Sequence, residues 1–249
     1  MRNREGRNKR NTPNRKPNRK RVQSKVESAE PEYELDEFKP KKCDKPLEPQ
    51  TEAQSHYMMA IERGNLTFGT GPAGTGKTYV CGAMAADALA QKTTRRIVIT
   101  RPAVEAGEKL GFLPGELDDK FAPFLDPFRD VLNERLGKSY VDYLIKVGRI
   151  EAAPLAYMRG KTFKDCWIIL DEAQNTTKTQ MKLFLTRIGN NSNVIVNGDM
   201  SQKDIREQSG LDDAVGRLSH LHGVNMVSFG VDDIVRSGLA QDIVRAYEG

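Results

Sequence analysis

The sequence is poor in cysteine: Cys43, Cys81 and Cys166 form an odd set without paired spacing. Such a set offers neither a disulfide framework nor a thiolate metal site, and a reduced, cytoplasmic protein is the plain expectation. Long apolar runs are missing as well. No stretch is long enough to cross a bilayer, and no apolar segment follows the basic N-terminus as a secretory signal requires. Internal repeats are absent. His220 and His222 lie two apart near the end of an expected helix, without visible partners for a metal, so a solvated surface pair is expected.

Apolar residues are nearly absent from residues 1–21, which therefore cannot build a core. The net charge of +5 is concentrated there: residues 1–21 carry +9, residues 22–37 carry −5, and the remaining body is close to neutral. This organisation predicts a disordered tail over 1–37, basic then acidic, and an extended lead-in over 38–49. A single folded domain is expected over 50–249. The basic arm can grip phosphate backbones. It can equally serve as a solubilising tail, or fold back on the acidic run from Glu27 to Glu37.

One stretch in the body carries chemistry by itself. Gly71, Pro72, Ala73, Gly74, Thr75, Gly76, Lys77 and Thr78 fit the phosphate-binding pattern of a Gly, four residues, then Gly-Lys-Thr. A short apolar strand precedes it, and an Ala-, Met- and Leu-rich helix follows to Gln91. Glycines let backbone N–H groups curl around phosphate oxygens, and the new helix points its positive end at them. Lys77 can reach the β- and γ-phosphates, and Thr78 supplies a hydroxyl for Mg²⁺. The pattern points to a nucleoside triphosphate.

Further polar strand ends follow. Arg96 to Thr100 reads as a buried strand ending in Arg101-Pro102. Residues 116–147 read as helices interrupted at Pro123 and Pro127, with Leu117, Phe121, Phe124 and Phe128 as a core-facing stripe. Cys166 to Leu170 is an apolar strand ending in Asp171, placed to hold Mg²⁺, and Glu172, placed to polarise an attacking water. Thr177 and Gln180 form a capping box. Asn193 to Val196 is a strand running into Asn197-Gly198-Asp199, and Gln202 is placed to contact the γ-phosphate or the attacking water. A closing helix is expected over 233–247, with Val235, Leu239 and Ile243 inward. Gln54 has two open roles: the N3 member of a capping box with Thr51, or a reader of the adenine edge.

The ordered segments GPAGTGKT, TRPAVEAGEKLGFLPG, APLAYMRGKTF, ILDEAQNTT, FLTRIG and GDMSQ together resemble the PhoH family of ATPases. The resemblance runs from about Pro49 to Glu248. It implies an α/β, RecA-like P-loop NTPase with a mostly parallel sheet flanked by helices, related to the first lobe of superfamily-one helicases. It also implies ATP with Mg²⁺ and a role in RNA metabolism. By this likeness Gly76, Lys77 and Thr78 serve the phosphates and Mg²⁺, Asp171 and Glu172 are the Walker B pair, and Gln202 is the sensor. The family's Gln ahead of the first strand falls on Gln54, which adds weight to adenine contact. Two departures stand out. Asn197 occupies a place where the family usually has Thr, and Asp204-Ile205-Arg206 lacks the family's Pro.

A lone RecA-like lobe leaves the γ-phosphate open to water, and efficient hydrolysis wants an arginine there. The expectation is a homo-oligomer, a hexameric ring in which a neighbour donates Arg236, with Arg187 and Arg206 as further candidates. The functional expectation is ATP hydrolysis coupled to binding or unwinding of single-stranded RNA or DNA. The alternative is a regulatory NTPase switch acting on a protein partner. A small-molecule kinase is disfavoured, because no acceptor pocket is visible and Glu172 is poised for water. With only the charged tail ahead of the ATPase, no nuclease activity is expected.

Overall fold

In the computed structural model, the described residues are 43, 45–102, 117–158, 160, 162–205, 208–235, 238, 243 and 246, the side chains of 117–122 and 153 excepted. In chain order they form α1 (Glu52–Arg63), β1 (Leu66–Thr70), α2 (Lys77–Ala90), β2 (Arg96–Arg101), α3 (Leu117–Leu136), α4 (Lys138–Lys146) and β3 (Ile150–Pro154). Then come β4 (Cys166–Leu170), α5 (Lys178–Leu185), β5 (Asn193–Gly198), α6 (Gly210–Leu218) and β6 (Val224–Ser228). The strands form one sheet in the order β3-β2-β4-β5-β1-β6, and every pairing is parallel. One strand, β5, lies between the phosphate-loop strand and the Asp-Glu strand. The fold is the expected α/β arrangement, a parallel sheet flanked by helices.

Both faces of the sheet are covered, which is why its strands read as continuous apolar runs rather than alternating ones. Successive side chains take opposite faces. Ile97, Ile99, Ile169 and Ile195 share a core with Tyr57 of α1, Val80 and Leu89 of α2, and Phe128 and Leu132 of α3. Val98, Ile168, Leu170, Val194 and Val196 share the opposite core with Met181 and Phe184 of α5 and Leu211 of α6. Thr177 opens α5 with the full reciprocal capping box expected of it.

Two expectations need correction. Helix α3 is not interrupted at its prolines: Pro123 and Pro127 both lie inside a continuous 20-residue helix. An interior proline costs about 3 kcal/mol. Leu125, Phe128, Val131, Leu132 and Leu136 are all buried on the other face, and each contributes about 1.5–3 kcal/mol. Burial therefore outweighs the two missing donors, and both prolines face solvent. Phe128 is fully buried and Phe124 partly so, while the side chains of Leu117 and Phe121 lie outside the described residues. The second correction concerns the closing segment. Val235 and Ile243 are 37% and 50% exposed rather than inward, and Leu239 lies outside the described residues. Val235 is held by its backbone instead, its N–H donating to the Gly74 carbonyl at 2.9 Å.

An ion pair ties α2 to α3. Arg135 is almost wholly buried and donates through Nε to Asp87 Oδ1 at 2.8 Å and through Nη2 to Oδ2. Its Nη1 donates to the Lys45 carbonyl at 2.8 Å and so anchors the lead-in to the body.

Candidate functional site: a phosphate cleft at the carboxyl ends of the strands

The parallel register brings several polar strand ends to one edge of the sheet. Thr70 pairs with Gly198, and Leu170 with Val196. Gly71, Asp171 and Asp199 therefore leave their strands close together, at the edge where open α/β sheets place ligands. A cleft of about 380 Å³ lies there, lined by Gly74, Gly76, Lys77, Thr78, Asp171, Glu172, Asp199 and Gln202, with Asp130 of α3 opposite. A larger groove of about 630 Å³ between α1 and β6 has no such convergence of a lysine, four acids and glycine backbone. The smaller cleft is the candidate site.

The loop from Gly71 to Gly76 needs glycine at both ends. Gly71 has φ +140°, and a Cβ there would sit 2.3 Å from the Phe229 carbonyl oxygen. Gly76 has φ +83°, and a Cβ there would meet Gln54 Nε2 at 2.6 Å. Lys77, the first residue of α2, curls back under the loop. Its Nζ donates to the Gly71 carbonyl at 2.7 Å, the Pro72 carbonyl at 2.8 Å and Thr75 Oγ1 at 3.1 Å. The same ammonium lies 5.7 Å from the centre of the Phe229 ring. Burial pushes the Lys77 ammonium down from its usual value, while Asp199, Asp171 and Glu172 pull it back up. Thr78 follows on the first turn of α2, half-buried on the cleft wall.

Gln54 braces the loop from below. Its Nε2 donates to the Thr75 carbonyl at 3.0 Å and its Oε1 accepts from the Gln50 N–H at 2.8 Å. The capping box proposed with Thr51 is only half made. Thr51 Oγ1 accepts from the Gln54 N–H at 3.2 Å, but the Gln54 amide turns to Gln50 and Thr75. Both amide ends are thus spent on backbone, and the residue is 4% exposed.

The acidic wall is built by a strained turn. Glu172 sits at φ +55°, a left-handed conformation that a non-glycine residue adopts at a cost. Its Oε2 accepts from Gln174 Nε2 at 2.7 Å, and Gln174 Oε1 in turn accepts from the Asp199 N–H at 3.1 Å. Gln174, buried and unremarked in the sequence, therefore links the end of β4 to the end of β5. Asp199 accepts through Oδ1 from Ser201, while its buried Oδ2 has no hydrogen-bond partner among the described residues. Gln202 is exposed at the mouth of the cleft.

Arg101, which the sequence marks only as a polar strand end, enters this wall: its Nε donates to Asp171 Oδ2 at 3.1 Å. Of the arginines considered for the γ-phosphate, Arg206 and Arg236 lie outside the described residues. Arg187 follows α5, its carbonyl accepting from the Phe163 N–H, and it does not line the cleft.

The sequence departures have local accounts. Asn197 Oδ1 accepts from the Tyr57 hydroxyl at 2.6 Å, and its Nδ2 donates to Cys81 Sγ at 3.3 Å, so the amide completes a buried polar group joining α1, β5 and α2. Asp204 makes a reciprocal pair with Asn175: its N–H donates to Asn175 Oδ1 at 2.9 Å, and its Oδ2 accepts from Asn175 Nδ2 at 3.1 Å. Burial pushes the Cys81 thiol from its ordinary 9.0 to about 12 and the Tyr57 phenol well above its usual range. Both protons are held more tightly in the folded protein. Their contribution is therefore complete below about pH 9 and is lost as pH rises towards 12, on the order of a few kcal/mol. Urea unfolding at pH 8, 10 and 11 is expected to show this fall, and Cys81→Ser to flatten it. An equal fall in that variant would exclude the thiol as a source.

The residues present fit a triphosphate with Mg²⁺. The glycine loop leaves no room for Cβ atoms at Gly71 and Gly76, Asp199 lines the cleft with its buried Oδ2 left without a partner among the described residues, and the Thr78 hydroxyl and Asp171 carboxylate are hard oxygen donors. Comparison with known proteins gives the family. A family model described as PhoH-like protein matches residues 46–248. Protein PhoH of Escherichia coli strain K12 is 50% identical over 206 residues, covering 81% of this chain and 58% of that protein. The PhoH-like protein of Bacillus subtilis is 48% identical over 206 residues, covering 82% and 65%. That of Mycobacterium tuberculosis strain H37Rv is 48% identical over 205 residues, covering 82% and 58%. The chain thus spans about three-fifths of the length of these relatives. Among solved structures, Pif1 helicase from Candida albicans aligns with a TM-score of 0.38 at 12% identity, over 74% of this chain and 40% of that one.

Proposed function

Because the chain belongs to the PhoH-like protein family, we propose that it is a Mg²⁺-dependent ATPase whose turnover is coupled to single-stranded RNA or DNA. The observation that carries the reading is the convergence of Lys77 and Glu172 on one cleft at the carboxyl ends of the strands. Lys77 and the loop N–H groups bind the phosphates. Thr78 and Asp171 would hold Mg²⁺, which when bound neutralises charge on the phosphate oxygens. Glu172 orients the attacking water and accepts its proton. Gln174 keeps one carboxylate oxygen of Glu172 engaged, so the side chain stays aimed. Gln202, at the cleft mouth, senses the γ-phosphate. Gln54 holds the loop in shape, and to meet an adenine edge its amide would have to leave the Thr75 and Gln50 backbone.

The wider reading follows from the domain layout. The ATPase domain occupies 50–249 behind a charged tail over 1–37 and a lead-in over 38–49, and the basic arm adds contacts to nucleic-acid phosphates. A ring of six copies supplies the γ-phosphate arginine from a neighbour, with Arg236 as the donor.

The test is steady-state ATP hydrolysis with and without single-stranded RNA or DNA, repeated on a chain lacking residues 1–37. Stimulation by polymer that weakens on removal of the arm is the expected result. Hydrolysis indifferent to either polymer would replace this reading with a regulatory switch acting on a protein. Transfer of the phosphoryl group to a small-molecule acceptor would replace it with a kinase.

A further inference from the structure

The sheet register sets one cation against the acid assigned to Mg²⁺. Thr100 of β2 pairs with Leu170 of β4, and the Asp171 N–H donates to the Thr100 carbonyl at 2.9 Å, carrying the ladder one residue further. Arg101 therefore leaves β2 beside Asp171. Its Nε at 3.1 Å and its Nη2 both donate to the same carboxylate oxygen, Oδ2. Nη2 also lies 3.9 Å from Glu172 Oε1. The Asp171 side chain is 5% exposed and that of Arg101 is 23% exposed, so water screens the contact weakly.

Building on the ATPase reading, we propose that Arg101 is a latch that competes with the divalent cation for Asp171 and thereby sets how much Mg²⁺ the nucleotide site requires. A carboxylate oxygen has about two lone-pair sites, and here two guanidinium donors occupy them. Asp171 cannot offer that oxygen to a cation, or to water on a cation, until Arg101 moves off it. Asp130, Asp171, Glu172 and Asp199 line the cleft with Lys77, so the local balance of four acids against Lys77 and Arg101 leaves a cation welcome. The planar fork of arginine suits such a two-donor hold, and lysine would hold the same oxygen less well. Arg101 is on this account a positioning residue, acting through Asp171. An arginine that merely braced Asp171 for the metal would have the opposite effect when removed.

The sign of one measurement separates the two accounts. A fluorescent, non-hydrolysable ATP analogue is held at fixed concentration with the full chain, Mg²⁺ is titrated, and binding is read by anisotropy. For Arg101→Gln the half-saturating Mg²⁺ is expected to fall by about tenfold relative to the wild type, the scale of a lost charge-assisted hydrogen bond; Arg101→Lys should lie between them. An unchanged or raised midpoint in Arg101→Gln overturns the latch while leaving the ATPase reading intact. Wild-type binding that ignores Mg²⁺ also overturns it. A wild type that binds no nucleotide at all removes the ATPase reading and the latch with it. Should Arg101→Gln fail to fold, the wild type still decides. Its Arg101 Nε–H resonance, identified by its loss in Arg101→Lys, should move when Mg²⁺ and the analogue are both present, and not with the analogue in EDTA. A resonance that stays in place under all conditions refutes the latch.

Discussion

Glu172→Gln is expected to reduce ATP hydrolysis by about 10²–10⁴-fold, the usual worth of a positioned general base, while leaving nucleotide binding within a few-fold of the wild type. The substitution keeps size and shape. It keeps the acceptor that Gln174 Nε2 needs, so the link from Glu172 through Gln174 to the Asp199 N–H survives. What is lost is the ability to take a proton from water. Single-turnover hydrolysis beside equilibrium binding of the same nucleotide separates the two effects. A residual rate within tenfold of the wild type would mean that another group removes the proton. Loss of binding in step with loss of rate would mean that the strained turn at Glu172 had collapsed.

Lys77→Ala is expected to weaken triphosphate binding by about 10²–10³-fold. Lys77 Nζ is already placed under the loop by Gly71, Pro72 and Thr75, and it is the lysine that lines the cleft. Each charge-assisted hydrogen bond to phosphate is worth about 1.5–3 kcal/mol, and one to two such bonds account for the expected loss. Burial lowers the ammonium's affinity for its proton, but the three neighbouring acids oppose that, so a phosphate meets a cation. Lys77→Met, which retains apolar bulk beside the Phe229 ring, should lose affinity to a similar degree. Titration calorimetry with the triphosphate reads both variants. Affinity within threefold of the wild type in either would move the phosphate site elsewhere on the molecule.

The two expectations that the structure corrected share a cause. Proline and apolar spacing are local signals, and at Pro123, Pro127, Val235 and Ile243 the outcome was set by what lay opposite. In α3 a buried stripe on the far face carried the helix through two missing donors. At Val235 a backbone bond to Gly74 holds the main chain while the neighbouring Ile234 takes the buried position, and the Val235 side chain is left partly exposed. Neither partner is visible in the segment itself.

The sequence alone determined which groups could line the cleft and the class of fold. The glycine loop with Lys77 and Thr78 is contiguous, its backbone conformation follows from its own residues, and the two acids at the end of an apolar strand need only the parallel sheet to bring them near it. Tertiary structure decided what those groups touch. Arg101 meets Asp171 because β2 pairs with β4 in one register, and a one-residue slip would turn the guanidinium to the other face. Gln174 reaches Asp199, Gln54 reaches Thr75, and Asn197 joins Tyr57 to Cys81 for the same reason. Each contact crosses between elements far apart in the chain, and its geometry is set by packing rather than by any local pattern of residues.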